Sequence, residues 1–145
     1  MSNTYKQLCE NLEQLKLVAM MEHLEEVAGF VTNNSLSFTE GLLKLSNYQI
    51  DYKSVSAAKA MVKVAAFPFL KELKDYDFSF QPSVNQQQIL ELATLRFMEL
   101  SENIVFLGTS GVGKTHLATA IGIASAKKRY STYFIKCHDL LQQLK

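Results

Sequence analysis

The chain has 145 residues, 48% of them apolar, with a formal net charge of +1. That length holds one ordinary domain or two small ones, and the overall charge gives no argument for a nucleic-acid partner. No run of about 18 apolar residues occurs, the opening SNTYKQLCENLEQ is too polar for a signal peptide, and Cys9 and Cys137 stand alone, so a cytoplasmic protein with reduced thiols and no membrane association is expected.

Thr4 and Gln7 suit a capping box before a first helix with Tyr5, Leu8, Leu12 and Leu15 on one face. A second short helix is predicted from Met20 or Met21 through Leu24 and Val27, ending near Gly29, with residues 32–35 as a polar loop. Ser37 and Glu40 form another capping box. Phe38, Leu42, Leu45, Tyr48 and Tyr52 then share a stripe that continues through Val55, Ala58 and Ala65 until Pro68 stops it. Residues 1–66 are therefore predicted to be a helical domain. Across residues 67–82 the periodicity is lost and Phe67, Phe69, Tyr76, Phe78 and Phe80 gather around two prolines, which reads as a linker that packs. Its rings suit burial, with stacking on a base as the alternative.

Ser83 and Gln86 open a further predicted helix to about Leu100, with Ile89, Leu92 and Leu95 facing inward. Ile104 to Leu107 read as a buried parallel strand, and the low-charge stretch THLATAIGIASA after the next loop reads as a helix suited to packing on a sheet. Lys127, Lys128 and Arg129 sit where cations favour a helix C-terminus, contact with DNA phosphates being the alternative. The segment STYFI reads as a second strand, and a last helix opens at His138.

The loop between the first strand and its helix has the spacing of a P-loop, from Gly108 to Gly113, Lys114 and Thr115. In that pattern backbone N–H groups and a helix N-terminus wrap phosphate oxygens. Gly108, Gly111 and Gly113 let the backbone approach the anion, Lys114 reaches the β- and γ-phosphates, and the Thr115 hydroxyl coordinates Mg²⁺. The candidate nucleotide-contacting set is Gly108, Thr109, Ser110, Gly111, Val112, Gly113, Lys114, Thr115 and His116, with ATP and Mg²⁺ as cofactors. For His116 packing is the plainer role, since a phosphate loop does not require a histidine there. No residue reads as catalytic. Asp139 is the single acid after the loop and suits a helix cap, and His23 and His138 lack partners at metal-ligand spacing.

Three blocks together resemble the IstB-like ATPases, helper proteins of bacterial insertion-sequence transposition. They are residues 12–26 (LEQLKL through MEHLEE), Ala65-Ala66-Phe67-Pro68 with LKDYDF and Gln81-Pro82, and ENIVFLG running into GVGKTHLA. The resemblance implies an α/β fold, a helical N-terminal domain followed by the start of an AAA+-like parallel-sheet P-loop domain over residues 83–145, related to DnaC-type helicase loaders. It implies binding of ATP, oligomers on DNA and cooperation with a transposase, and it places residues 76–80 near the adenine. The chain departs from the family pattern in having only Lys53, Lys59 and Lys63 on the helix before the Phe-Pro segment. It also reaches Lys145 without the acidic Walker B group. The expectation is therefore the front portion of a longer protein that binds Mg-ATP without hydrolysing it alone, with residues 103–145 weakly protected in hydrogen exchange. A non-catalytic interaction module and a replication helicase loader remain the alternatives.

Overall fold

In the computed structural model, which describes residues 3–145, the first apolar stripe forms α1 (Asn3–Gln14), with Leu12 as its buried residue. Thr4 lies inside this helix rather than capping it. The chain divides into two units, Met1–Ser56 and Ala57–Lys145.

In the first unit, α2 (Val18–Glu22) and α3 (Leu24–Asn33) replace the single helix predicted there, the break falling at His23. Gly29 does not end a helix, because α3 passes through it. The terminus is made by Ser35 in the left-handed conformation, φ 51°. There the Leu36 N–H donates to the Val31 carbonyl (3.0 Å) and the Ser35 N–H to that of Thr32 (3.4 Å), which satisfies the last turn's acceptors. The end of α1 repeats the arrangement with Lys16 at φ 57°, the Leu17 N–H reaching Leu12 (2.8 Å) and the Lys16 N–H Glu13 (2.9 Å). A residue with a Cβ costs about 1 kcal/mol in this conformation. Lys16→Gly is accordingly expected to stabilise the first unit by about 0.5–1 kcal/mol, seen as a higher urea midpoint. A midpoint at or below that of the parent would remove the argument.

The capping box at Ser37 and Glu40 forms, with the Ser37 N–H on Glu40 Oε2 (2.8 Å) and the Glu40 N–H on Ser37 Oγ (3.3 Å). It opens α4 (Phe38–Val64), which runs past the division between the units. The buried line of α4 is Gly41, Leu45 and Gln49, one residue every turn. Of the predicted stripe, Phe38, Leu42, Tyr52 and Val55 face outward, 80%, 44%, 46% and 55% exposed. Periodicity could not choose the inward face, because apolar residues surround this helix. Contact with α3 chose it: a Cβ at Gly41 would lie 2.7 Å from Val31 Cγ2. Gln49 is buried because its Oε1 accepts from the N–H groups of Ala19 (3.0 Å) and Met20 (3.3 Å) at the start of α2. On the surface, the His23 ring stacks on Tyr48 at 3.9 Å, and Glu26 accepts from the Tyr48 hydroxyl and pairs with His23 Nδ1.

The second unit contains a strap, residues 67–82, interrupted by a 3-10 turn (Leu73–Asp75). After it come α5 (Gln86–Leu92), α6 (Arg96–Glu99), α7 (Lys114–Lys127) and α8 (Cys137–Gln143). The predicted helix from Ser83 to Leu100 is thus two pieces. Asn85, not Ser83, caps α5 by accepting from the Gln88 N–H (3.1 Å), and Leu95 takes φ 70° between the pieces so that its side chain is only 2% exposed. α7 buries Leu117, Ala120, Ile121 and Ile123; Ile89 of α5 and Leu95 are buried as well, and Ala65, just after α4, is fully enclosed.

The predicted α/β class is corrected here: the described residues are helical and contain no strand. A strand exists only through hydrogen bonds to a neighbour. Residues 104–107 are irregular and unpaired; Val105 and Leu107 are 74% and 88% exposed, while Ile104 and Phe106 are half-buried. For residues 131–135 the backbone link is instead from the Phe134 N–H to the Ala65 carbonyl (2.7 Å). The parallel sheet is therefore not formed; α7 packs on the strap, through its 3-10 turn and Phe67, and its Ser125 hydroxyl meets Met98 of α6.

Candidate functional site

The loop of residues 108–113 turns into α7 at Gly113, whose φ of 87° is a conformation that residues with a Cβ rarely adopt. The first intrahelical bond of α7 runs from the Leu117 N–H to the Gly113 carbonyl (3.0 Å). The N–H groups of Lys114, Thr115 and His116 therefore precede the helical ladder and are available to an anion, with the helix dipole behind them. Lys114 bends back over the loop. Its ammonium donates to the carbonyls of Gly108 (2.8 Å) and Thr109, which places the charge across the loop's mouth. Thr109, Ser110, Gly111 and Thr115 are exposed, and a Cβ at Gly111 would meet nothing within 4 Å, so the rim is open.

These features fit a polyphosphate. The donors are backbone amides and one ammonium, and the Thr115 hydroxyl lies at the first turn of α7 where it could take a Mg²⁺ ion. Beside the loop is a cleft of about 270 Å³ lined by Ile89, Ile104, Phe106, Val112, Lys114 and Leu117 among others.

His116 lies apart from this set in its contacts. Its ring meets Tyr76 edge-on at 5.2 Å and Phe69 at 6.1 Å, and its Nε2 is 3.3 Å from the Glu72 carbonyl. The strap continues this contact toward the loop. The Tyr76 hydroxyl donates to the Val112 carbonyl (3.1 Å), and its ring lies so near Gly113 that a Cβ there would be 2.7 Å from Tyr76 Cε2. Val112 and Tyr76 are 36 residues apart, and no local pattern announces such a pair; the clustering of aromatic residues implied that the strap packs, and the resemblance placed residues 76–80 near the adenine.

At the far end of α7, Lys127 pairs with Glu72, and the Lys128 ammonium donates to the Thr94 carbonyl (3.1 Å). Two of the three basic residues considered for DNA thus hold the strap and the α5–α6 turn. The Lys127 hydrogen bond, aided by Lys74, holds the Glu72 carboxyl below the usual glutamate range. A depressed folded-state pKa stabilises above the unfolded value and the gain is lost as pH falls through the folded one. Stability of the second unit is therefore expected to be flat from neutral pH to about 5 with respect to this pair and to drop below about 4.3. With Glu72 partly exposed the loss is at most about 0.5 kcal/mol. Comparing acid unfolding of the parent with Glu72→Gln measures it, and identical acid limbs would show that the pair contributes nothing.

No described helix is long and apolar enough to cross a membrane. Residues 10–145 match the model of a family described as IstB-like ATP binding protein. The whole chain is 63% identical to a Bacillus thuringiensis subsp. berliner protein named for ATP binding in insertion sequence IS232, and covers 58% of it. Over 94% of the chain it is 38% identical to the corresponding IS5376 protein of Geobacillus stearothermophilus, covering 54% of that protein. Over 92% it is 32% identical to the IS21 protein of Pseudomonas aeruginosa, covering 50%. The chain thus spans a little over half the length of these relatives.

Proposed function

The chain belongs to the IstB-like ATP binding protein family, and on that premise we propose that it binds Mg-ATP through residues 108–116 as an accessory protein of insertion-sequence transposition. The observation that supports this most is Lys114, whose ammonium lies over the loop against Gly108 and Thr109 at the open N-terminus of α7. On binding, this ammonium leaves the two carbonyls for the β- and γ-phosphates. The amides of residues 113–116 orient the polyphosphate, and the Thr115 hydroxyl holds the metal. Mg²⁺ offsets the phosphate charge. Transposase, DNA and further copies of the chain are the proposed partners, and their support is the family alone.

Titration calorimetry of the full chain with MgADP and MgATP tests the reading. Saturable heat with one site per chain is expected; no heat from folded protein would overturn it. A second reading, a module that binds a partner protein without using nucleotide, draws on the exposed Phe38, Leu43 and Ile50 of α4, which are 80%, 60% and 63% exposed. Partner and DNA binding by Lys114→Ala in saturating ATP separates the two. If that variant matches the parent, the module reading stands.

A further inference from the structure

We infer that Tyr76 is a positioning residue for the phosphate loop, setting the direction and donor strength of the Gly113 amide; the inference rests on the nucleotide reading above. The carbonyl of Val112 and the N–H of Gly113 belong to one peptide unit. That unit is trans and planar, so the two groups point in opposite directions. The Tyr76 hydroxyl holds the carbonyl at 3.1 Å and thereby fixes the plane, aiming the Gly113 N–H away from the strap. A carbonyl that accepts a hydrogen bond also polarises its peptide, which makes the attached N–H a better donor. The amide concerned stands at the N-cap of the 14-residue α7, one residue before Lys114, whose ammonium lies on the Gly108 carbonyl across the loop.

The ring supplies a second restraint. Its edge occupies the space a Cβ on Gly113 would need, so residue 113 is held as glycine from two sides, by φ and by contact. Tyr76 in turn is braced. Phe78 meets it edge-on at 4.9 Å, and His116 at 5.2 Å on the other contact. The Glu72–Lys127 pair ties the same strap to the last turn of α7. A flexible glycine loop loses conformational entropy when it closes on an anion, and a loop already braced loses less. The strap therefore works as the pre-organising brace of the site, and nucleotide occupancy should be felt along it.

Tyr76→Phe removes the hydroxyl and leaves the ring, so the packing against Gly113 persists. Calorimetry of the full chain with MgADP is expected to show affinity reduced roughly 5- to 10-fold. In amide NMR, the Gly113 proton of the variant is expected upfield of its position in the parent, and its displacement on adding MgADP is expected to be smaller. Ile121→Val serves as the structural control. It thins the core on α7 without touching the loop or the strap, and should lower the melting temperature while leaving affinity within about twofold of the parent. Affinity of Tyr76→Phe within twofold of the parent, with an unmoved Gly113 proton, would overturn the role of Tyr76 and leave the nucleotide reading intact. Absence of binding in the parent would remove both together.

Discussion

Lys114→Ala is expected to weaken MgADP binding about 100-fold, the largest effect of any single change in the loop. A hydrogen bond to a charged group contributes roughly 1.5–3 kcal/mol, and each 1.4 kcal/mol is a factor of ten in affinity. The upper end applies because the ammonium, held over the loop's mouth, would reach both the β- and γ-phosphates; the bonds to the Gly108 and Thr109 carbonyls that it gives up on binding keep the effect from being larger. Arginine should not restore binding, since its planar guanidinium does not fit a seat shaped for a compact ammonium. Thermal shift gives a reading independent of calorimetry. At a free ligand concentration of 100 Kd, binding adds about 2.7 kcal/mol to stability. The parent should therefore melt several degrees higher with MgADP, while the variant, for which the same concentration is about one Kd, should gain only about 0.4 kcal/mol and shift several-fold less. An equal shift in both proteins would mean that Lys114 does not touch the nucleotide.

The second large effect lies in the other unit. Gln49→Ala is expected to destabilise it by about 3 kcal/mol. Gln49 is 5% exposed, and its Oε1 takes the N–H groups of Ala19 and Met20 in the first turn of α2. That helix has no side-chain cap of its own, since Leu17 occupies the cap position. Alanine leaves two donors without their partner and opens a cavity between helices, and each unsatisfied buried donor costs about 1–3 kcal/mol. Gln49→Leu should be milder, about 1–2 kcal/mol, because it fills the space and also removes the Nε2 that lacks a hydrogen-bond partner. The chain's two units need not unfold together, so hydrogen exchange resolved by residue is the better measurement. Ala19 and Met20 should lose protection first. If their amides exchange at the parent's rate in Gln49→Ala, the cap is not what holds α2.

Neither Gln49 nor Tyr76 was legible as a partner before folding. A glutamine in mid-helix carries no sign that it will turn inward, and for Tyr76 the aromatic segment implied packing and the family resemblance a place near the adenine, but neither named the Val112 carbonyl as its partner. Both act on backbone groups about 30 residues or more away in sequence. The same limit explains the predicted strands. The apolar run at residues 104–107 has the composition of a strand, but pairing needs a neighbour that composition does not specify. The chain makes no such pairing among its described residues. Leu95 shows a smaller version of the limit, where packing broke a helix at a residue whose type did not announce it.

The sequence by itself determined the features whose partners lie within a few residues. These are the capping box of Ser37 and Glu40 with the helix it opens, the first helix, the low-charge helix after the loop, and the glycine-lysine-threonine spacing, which together with the blocks at residues 12–26 and 65–82 pointed to the family. Such features close short loops at small entropic cost, so residue type and spacing are enough to specify them. Only the tertiary structure decided which face of α4 turned inward, that Gln49 caps α2, that Tyr76 braces the peptide between Val112 and Gly113, and that the extended segments stay unpaired. Each of those depends on which surfaces meet when distant parts of the chain come together, and that outcome is a competition among contacts that no local pattern encodes.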